Sequence, residues 1–166
     1  MTHAPRSTGP VHVAVVTVSD RCAAGERVDE SGPAAAGAVR AAGLVVQAST
    51  VVPDGVVPVR DALRGAIAAG ADVVLTLGGT GVGPRDRTPE ATRQVIEMEL
   101  PGVAEAIRAH GREATPTATL TRGLAGCSGG TLVVNLPGSP AAVVRSLEVL
   151  LPLVPHVVDQ LHGGDH

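Results

Sequence analysis

Short runs rich in β-branched residues alternate along this chain with helix-length stretches, and each run empties into an acid, an asparagine or a cluster of glycines. The runs are 11–18, 44–52, 72–77 and 131–134. They end at Ser19 and Asp20, at Pro53-Asp54-Gly55, at Gly78 and Gly79, and at Asn135. Their composition predicts strands. Helices are expected over 33–42, closed by Gly43, and over 58–70, where Leu63 and Ile67 lie four apart on one side and Arg60 and Arg64 on another. Thr88 followed by Pro89 reads as an N-cap with proline at the first helical position. Two further helices are expected, one over 101–112 and one that opens at Pro140 and breaks at Pro152. Strands alternating with helices predict a mainly parallel sheet covered on both faces. In such folds ligands bind beyond the carboxyl ends of the strands, where these acids, glycines and Asn135 all fall.

Composition narrows the chemistry. The 166 residues, 44% of them hydrophobic, suffice for one core. We expect a single domain over 11–161, with a flexible leader at 1–10 and a flexible tail at 162–166. The thirteen basic residues are all arginine, and aromatic residues are absent. A lysine Schiff base, a phosphate-loop lysine and an aromatic stacking platform are therefore excluded. A net charge of -3 with scattered arginines gives no basic face for nucleic acid. The apolar runs are interrupted by prolines and charges short of the roughly 20 residues of a membrane helix. The N-terminus carries no signal-type segment, so a cytoplasmic location is expected. Cys22 and Cys127 lack zinc-site spacing and read as unpaired thiols.

The stretch GGTGVGPRDRTPEAT, beginning at Gly78, holds the densest chemistry. Gly78, Gly79, Gly81 and Gly83 leave backbone amides uncovered, and such amides can cradle phosphate oxygens. Neither GxGxxG nor GxxxxGK[ST] spacing is present, so nicotinamide and Walker-type chemistry are not supported. Arg85 can offer a forked contact to phosphate, as can Arg87 if it faces inward. Asp86 repels an anion unless a divalent cation bridges it to phosphate, a role Asp54 could share; both acids have plainer readings, as a turn former or an arginine partner. Asn135 can read a polar ligand edge, and Gly138 with Ser139 offers a second turn of amide and hydroxyl, although Ser139 could equally cap the helix at Pro140.

Together SDR at 19–21, VPDG at 52–55, the glycine stretch, ELPG at 99–102 and NLPGSP at 135–140 closely resemble the MogA/MoaB family of molybdenum cofactor biosynthesis. The resemblance runs from about residue 11 to about 160. It implies a three-layer α/β/α sandwich that binds molybdopterin. It also implies adenylylation, in which the terminal phosphate of molybdopterin attacks the α-phosphate of Mg-ATP and pyrophosphate leaves. By resemblance, Asp54 and Asp86 are the catalytic, Mg²⁺-holding acids. Gly78, Gly79, Thr80, Gly81, Arg85 and Thr88 surround pterin and phosphate, Asn135, Pro137, Gly138 and Ser139 form a second ligand loop, and Ser19, Asp20 and Glu105 lie near the pocket. A homotrimer or hexamer and a separate molybdate-inserting enzyme are implied as partners. Two positions depart from the family pattern: Gly55 stands where an acid is frequent, and Val103 where an aromatic is. A non-catalytic molybdopterin-binding protein and a nucleotide-binding regulatory domain are the competing readings.

Overall fold

The computed structural model describes residues 9–164. A six-stranded sheet runs in the order β2-β1-β3-β6-β5-β4. Its parallel part comprises β1 (His12–Val18), β2 (Val45–Val52), β3 (Val73–Leu77) and β6 (Thr131–Leu136). Two short strands, β4 (Met98–Glu99) and β5 (Ala125–Ser128), add antiparallel to the β6 edge. The sequence reading lacked both. Two residues, and the run Ala-Gly-Cys-Ser, carry no strand signal of their own; β5 pairs because β6 offers an open ladder, and β4 then pairs with β5.

Alternation along the strands sorts the core into two sides. Val13, Val15, Leu75, Leu77, Val134 and Leu136 pack on one face. They are covered by α2 (Ser31–Ala41), α5 (Pro101–Ala114), α6 (Pro140–Leu150) and α7 (Val154–Leu161). Ala14, Val16, Val74 and Val133 pack on the other, under α3 (Val56–Ala68) and α4 (Thr88–Arg93). The result is a three-layer α/β/α sandwich. A core of alanine, valine, leucine and isoleucine closes it, because small side chains on α2 (Ala35, Ala36) let that helix lie close to the sheet.

Two local expectations change. Thr88 is the first residue of α4, not its cap; Arg87 takes the cap position without a side-chain bond, and the Thr88 hydroxyl donates to the Gly78 carbonyl instead. The expected break at Pro152 is there, as a 3-10 turn at Leu151–Leu153 between α6 and α7, but Pro140–Leu161 as a whole has by length and composition what a membrane span needs. Its apolar residues have a use within the fold: Val143, Leu147, Leu150, Val154 and Val158 are buried against the sheet. Of the leader, 1–8 lie outside the described residues, as do 165–166 of the tail. His162 closes α7 with backbone bonds to Val158 and Asp159 and brings its Nε2 to 3.5 Å from Asp72.

Candidate functional site

Sheet order fixes the site. The chain leaves β1 for β2 on one side and then returns to β3 on the other, so a crevice opens beyond the carboxyl ends of β1 and β3. β3 runs straight into Gly78, with φ 105, and a side chain there would strike the Val18 carbonyl at the end of β1. Gly79, with φ 67, sits where a side chain would meet the Thr88 hydroxyl and approach Asp54. Neither position admits a Cβ, because the backbone passes too close to its neighbours and is left-handed. Gly138 lies against Gly78, so the loops after β3 and β6 touch through bare backbone.

Hydrogen bonding around the first loop is one-sided. The Gly78 carbonyl accepts from the Thr88 hydroxyl at 2.9 Å, and the Gly79 carbonyl from the Thr88 amide at 3.1 Å. The Thr80 carbonyl accepts from the Arg122 amide, and the Gly81 carbonyl from Arg122 Nε, each at 2.8 Å. Four successive carbonyls are thus occupied. A trans peptide points its N–H opposite to its C=O, and no cis bond is present among the described residues. The amides of Gly79, Thr80, Gly81 and Val82 therefore point away from these partners, and none of the four has an acceptor among the described residues. The second loop repeats this on a smaller scale: Ser31 Oγ donates to the Gly138 carbonyl, and the amides of Gly138 and Ser139 have no acceptor among the described residues.

Carboxylates stand beside the glycine loop. Asp20 and Asp54 bond reciprocally, each backbone amide to the other's carboxylate, at 2.9 and 3.1 Å. Arg85 forks onto Asp20 at 3.0 and 2.9 Å and reaches the Asp54 carbonyl with a third bond. The hydrogen bond from Arg85 holds the Asp20 carboxyl below its usual range. Asp54 is pushed the other way, chiefly by burial and then by the charges of Asp20 and Asp86. Asp86 Oδ2 accepts from the Gly83 amide at 2.9 Å, which folds the loop tip back on itself.

Of the residues expected at the site, Asp20, Asp54, Gly78, Gly79, Thr80, Gly81, Arg85, Asp86, Pro137, Gly138 and Ser139 lie on or beside these two loops. Others act from behind. Ser19 caps a one-turn helix, α1 (Asp20–Ala23), by accepting from the Cys22 amide. Ser139, besides lying on the second loop, caps α6 through the Ala142 amide. Thr88 is buried beneath the loop. Asn135 is also buried, and its amide group is fully engaged: it accepts from the Leu124 amide and donates to the Thr76 and Thr92 hydroxyls. Instead of reading a ligand edge, Asn135 ties β6 to β3 and α4. Glu105 is exposed on α5, among neither the loops nor the cavity lining. Arg87 is exposed and makes no side-chain hydrogen bond among the described residues.

Three participants carried no local signal. Arg122 sits 36 residues beyond Asp86 and reaches the loop only because a 3-10 turn, Pro116–Leu120, brings the chain back under it. Glu90 receives the Arg122 guanidinium, which holds its carboxyl below the usual range. Ser31 is found only through its bond to Gly138. A cavity of about 440 Å³ adjoins both loops, lined by Thr80, Gly81, Pro137, Gly138 and Ser139, and walled by Ile107, Leu120 and Arg108. Its size suits a small fused heterocycle.

The described residues contain no group of three His, Cys, Asp or Glu side chains placed to hold a metal. A hard divalent cation that shares its shell with water and substrate phosphate needs only one or two carboxylates. Asp54 and Asp86 fit that case. Each uses one oxygen in a backbone bond and keeps the other without a hydrogen bond among the described residues, and their mutual repulsion is what a cation relieves.

Residues 14–156 match a family described as a probable molybdopterin binding domain. The chain is 40% identical over 156 residues to the molybdenum cofactor biosynthesis bifunctional protein of Synechococcus elongatus, covering 94% of this chain and 49% of that protein. It therefore spans about half the length of that relative. It is 42% identical over 149 residues to a molybdopterin adenylyltransferase of Pyrococcus furiosus, covering 87% of each. Among solved structures, a molybdopterin biosynthesis protein from Mycobacterium abscessus matches with TM-score 0.87 at 44% identity, covering 91% of this chain and 96% of that one.

Proposed function

The chain belongs to the MogA/MoaB molybdopterin-binding family, and from that premise we propose that it is a molybdopterin adenylyltransferase, moving AMP from ATP to the terminal phosphate of molybdopterin. The observation that carries the reading is the run of four amides, Gly79 to Val82, left without acceptors beside Asp54 and Asp86. Backbone N–H groups fixed in advance stabilise phosphate charge without reorganising when it develops.

In this reading an oxygen of the molybdopterin phosphate attacks the α-phosphorus of ATP, and the bond to the pyrophosphate oxygen breaks. The nucleophile is already an anion, so no side chain is required as a base. The chain's work is to align two polyanions and hold them together. Amides 79–82 bind phosphate oxygens, and the amides of Gly138 and Ser139 fix the second substrate across the crevice. The adjoining cavity receives the pterin rings, with the Thr80 backbone at its rim and Ile107 and Leu120 excluding water. Asp54 and Asp86 would hold Mg²⁺, which would supply positive charge to offset that of the triphosphate. Arg85 carries a guanidinium within reach of the same crevice, at present paired with Asp20.

The competing reading is a protein that binds molybdopterin without chemistry. Purified protein mixed with Mg-ATP and molybdopterin separates the two. Pyrophosphate release is expected only when both substrates are present, and Asp86→Ala is expected to lower the rate by at least about a hundredfold with the far-UV spectrum unchanged. Tight molybdopterin binding without pyrophosphate release would leave only the binding role. A homotrimer or hexamer, passing its product to a separate molybdate-inserting enzyme in the cytoplasm, completes the proposal, and sedimentation equilibrium checks the assembly.

A further inference from the structure

Arg122 lies outside every motif of the ligand loops, yet it makes four hydrogen bonds to the glycine segment and its helix. Its amide donates to the Thr80 carbonyl and its Nε to the Gly81 carbonyl, each at 2.8 Å. One terminal nitrogen donates to the Asp86 carbonyl at 2.8 Å, and the other meets Glu90 on α4. The two ends of the loop, Gly81 and Asp86, are thereby pinned to one planar group. A guanidinium is suited to this because its donors diverge in a fixed fork, whereas an ammonium is a point charge on a flexible stem. The partly buried Glu90 carboxylate holds the fork in place from the far side.

The consequence is directional. Each carbonyl drawn toward Arg122 turns the following amide the other way. Drawing in Thr80, Gly81 and Asp86 turns out the amides of Gly81, Val82 and Arg87, none of which has an acceptor among the described residues. Without the guanidinium, the Gly81 and Asp86 carbonyls would be free to rotate toward the crevice, where they would repel phosphate.

We propose that Arg122 is a positioning residue that holds the glycine loop by its carbonyl side, so that the loop presents only N–H groups to a phosphate chain. The proposal rests on the adenylyltransferase reading for the identity of the ligand, but its physical content is tested with a simpler anion. Binding of inorganic tripolyphosphate with Mg²⁺ should be measured by calorimetry for the wild type, Arg122→Ala and Arg122→Lys, with circular dichroism reporting the fold. Arg122→Ala is expected to weaken binding by about a hundredfold, the scale set by displacing a positioned group by about 1 Å. Arg122→Lys is expected to recover little of it, because one ammonium cannot span Gly81, Asp86 and Glu90. Millimolar guanidinium is expected to restore binding to Arg122→Ala and not to Arg122→Lys, whose side chain fills the site. A merely structural role would show no such selective rescue.

Equal binding by the wild type and a folded Arg122→Ala overturns the positioning role, as does failure of guanidinium to rescue. If Arg122→Ala does not fold, Arg122→Lys carries the test, and wild-type affinity in that variant overturns the role of the fork. A wild type that does not bind tripolyphosphate removes the cradle itself. Binding that behaves as expected, in a protein that releases no pyrophosphate from ATP and molybdopterin, leaves the positioning role standing and removes only the adenylyl transfer.

Discussion

Asp54 is a carboxylate held where ionisation is unfavourable. Burial raises its pKa above the ordinary 3.8 and the charges of Asp20 and Asp86 add to the effect, with the hydrogen bond from the Asp20 amide and the charge of Arg85 only partly opposing them. The folded chain therefore binds this proton more tightly than the unfolded chain does. Between the ordinary value and the raised one, stability falls as pH rises, and above the raised value the full cost remains. Asp54→Asn is accordingly expected to melt at a higher temperature than the wild type at neutral pH, with the difference vanishing as pH drops below the ordinary aspartate range. The same substitution is expected to abolish pyrophosphate release. Thermal scans across pH check this, and a neutral-pH melting temperature at or below that of the wild type would show that the carboxylate is not under strain. Stability given up at a site in exchange for activity is a recurrent pattern. Asp20 shows the opposite arrangement, paired with Arg85 and partly exposed, so its charge is relieved within the chain itself.

Elements place these residues through buried polar links as much as through apolar packing. Asn135 on β6 donates to Thr92 on α4, Thr92 donates to the Thr88 carbonyl, and the Thr88 hydroxyl donates to Gly78. That relay sets the height of the glycine loop above the sheet. Asn135→Ala leaves the Leu124 amide and two threonine hydroxyls without their partner, which is expected to cost about 2–4 kcal/mol and to weaken triphosphate binding through the loop, since the Asn135 amide group is engaged within the fold. Urea unfolding and calorimetry together check it; a loss of binding with no loss of stability would place Asn135 at the ligand instead. Sequence showed that position 135 matters, since an asparagine ends a strand beside a glycine turn, but not how it is used. Residue type alone does not tell an amide that faces a crevice from one that faces Thr76 and Thr92. Thr88 misleads in the same way: Thr-Pro predicts a cap, yet the side chain takes the nearer Gly78 carbonyl because the loop folds back over it.

The parallel sheet, its layers and the end at which the loops gather were all legible, because hydrophobic alternation and glycine placement are local signals read by counting. What escaped depends on the return of the chain. Arg122 is presented by the 3-10 turn after α5, β5 exists only against β6, and β4 only against β5. No spacing rule spans those distances. The molecule that results gathers two bare-backbone loops, three aspartates and the guanidiniums of Arg85 and Arg122 at a single end of the sheet, with a cavity of about 440 Å³ opening beside them. At the centre of it, amides 79–82 have no acceptor among the described residues and are open to phosphate. The most direct measurement is a titration of Mg-ATP into ¹⁵N-labelled protein with the backbone assigned. The amides of Gly79, Thr80, Gly81 and Val82 are expected to move together, saturably, and by more than those of any other contiguous segment. Saturable binding with those four resonances unmoved would contradict it.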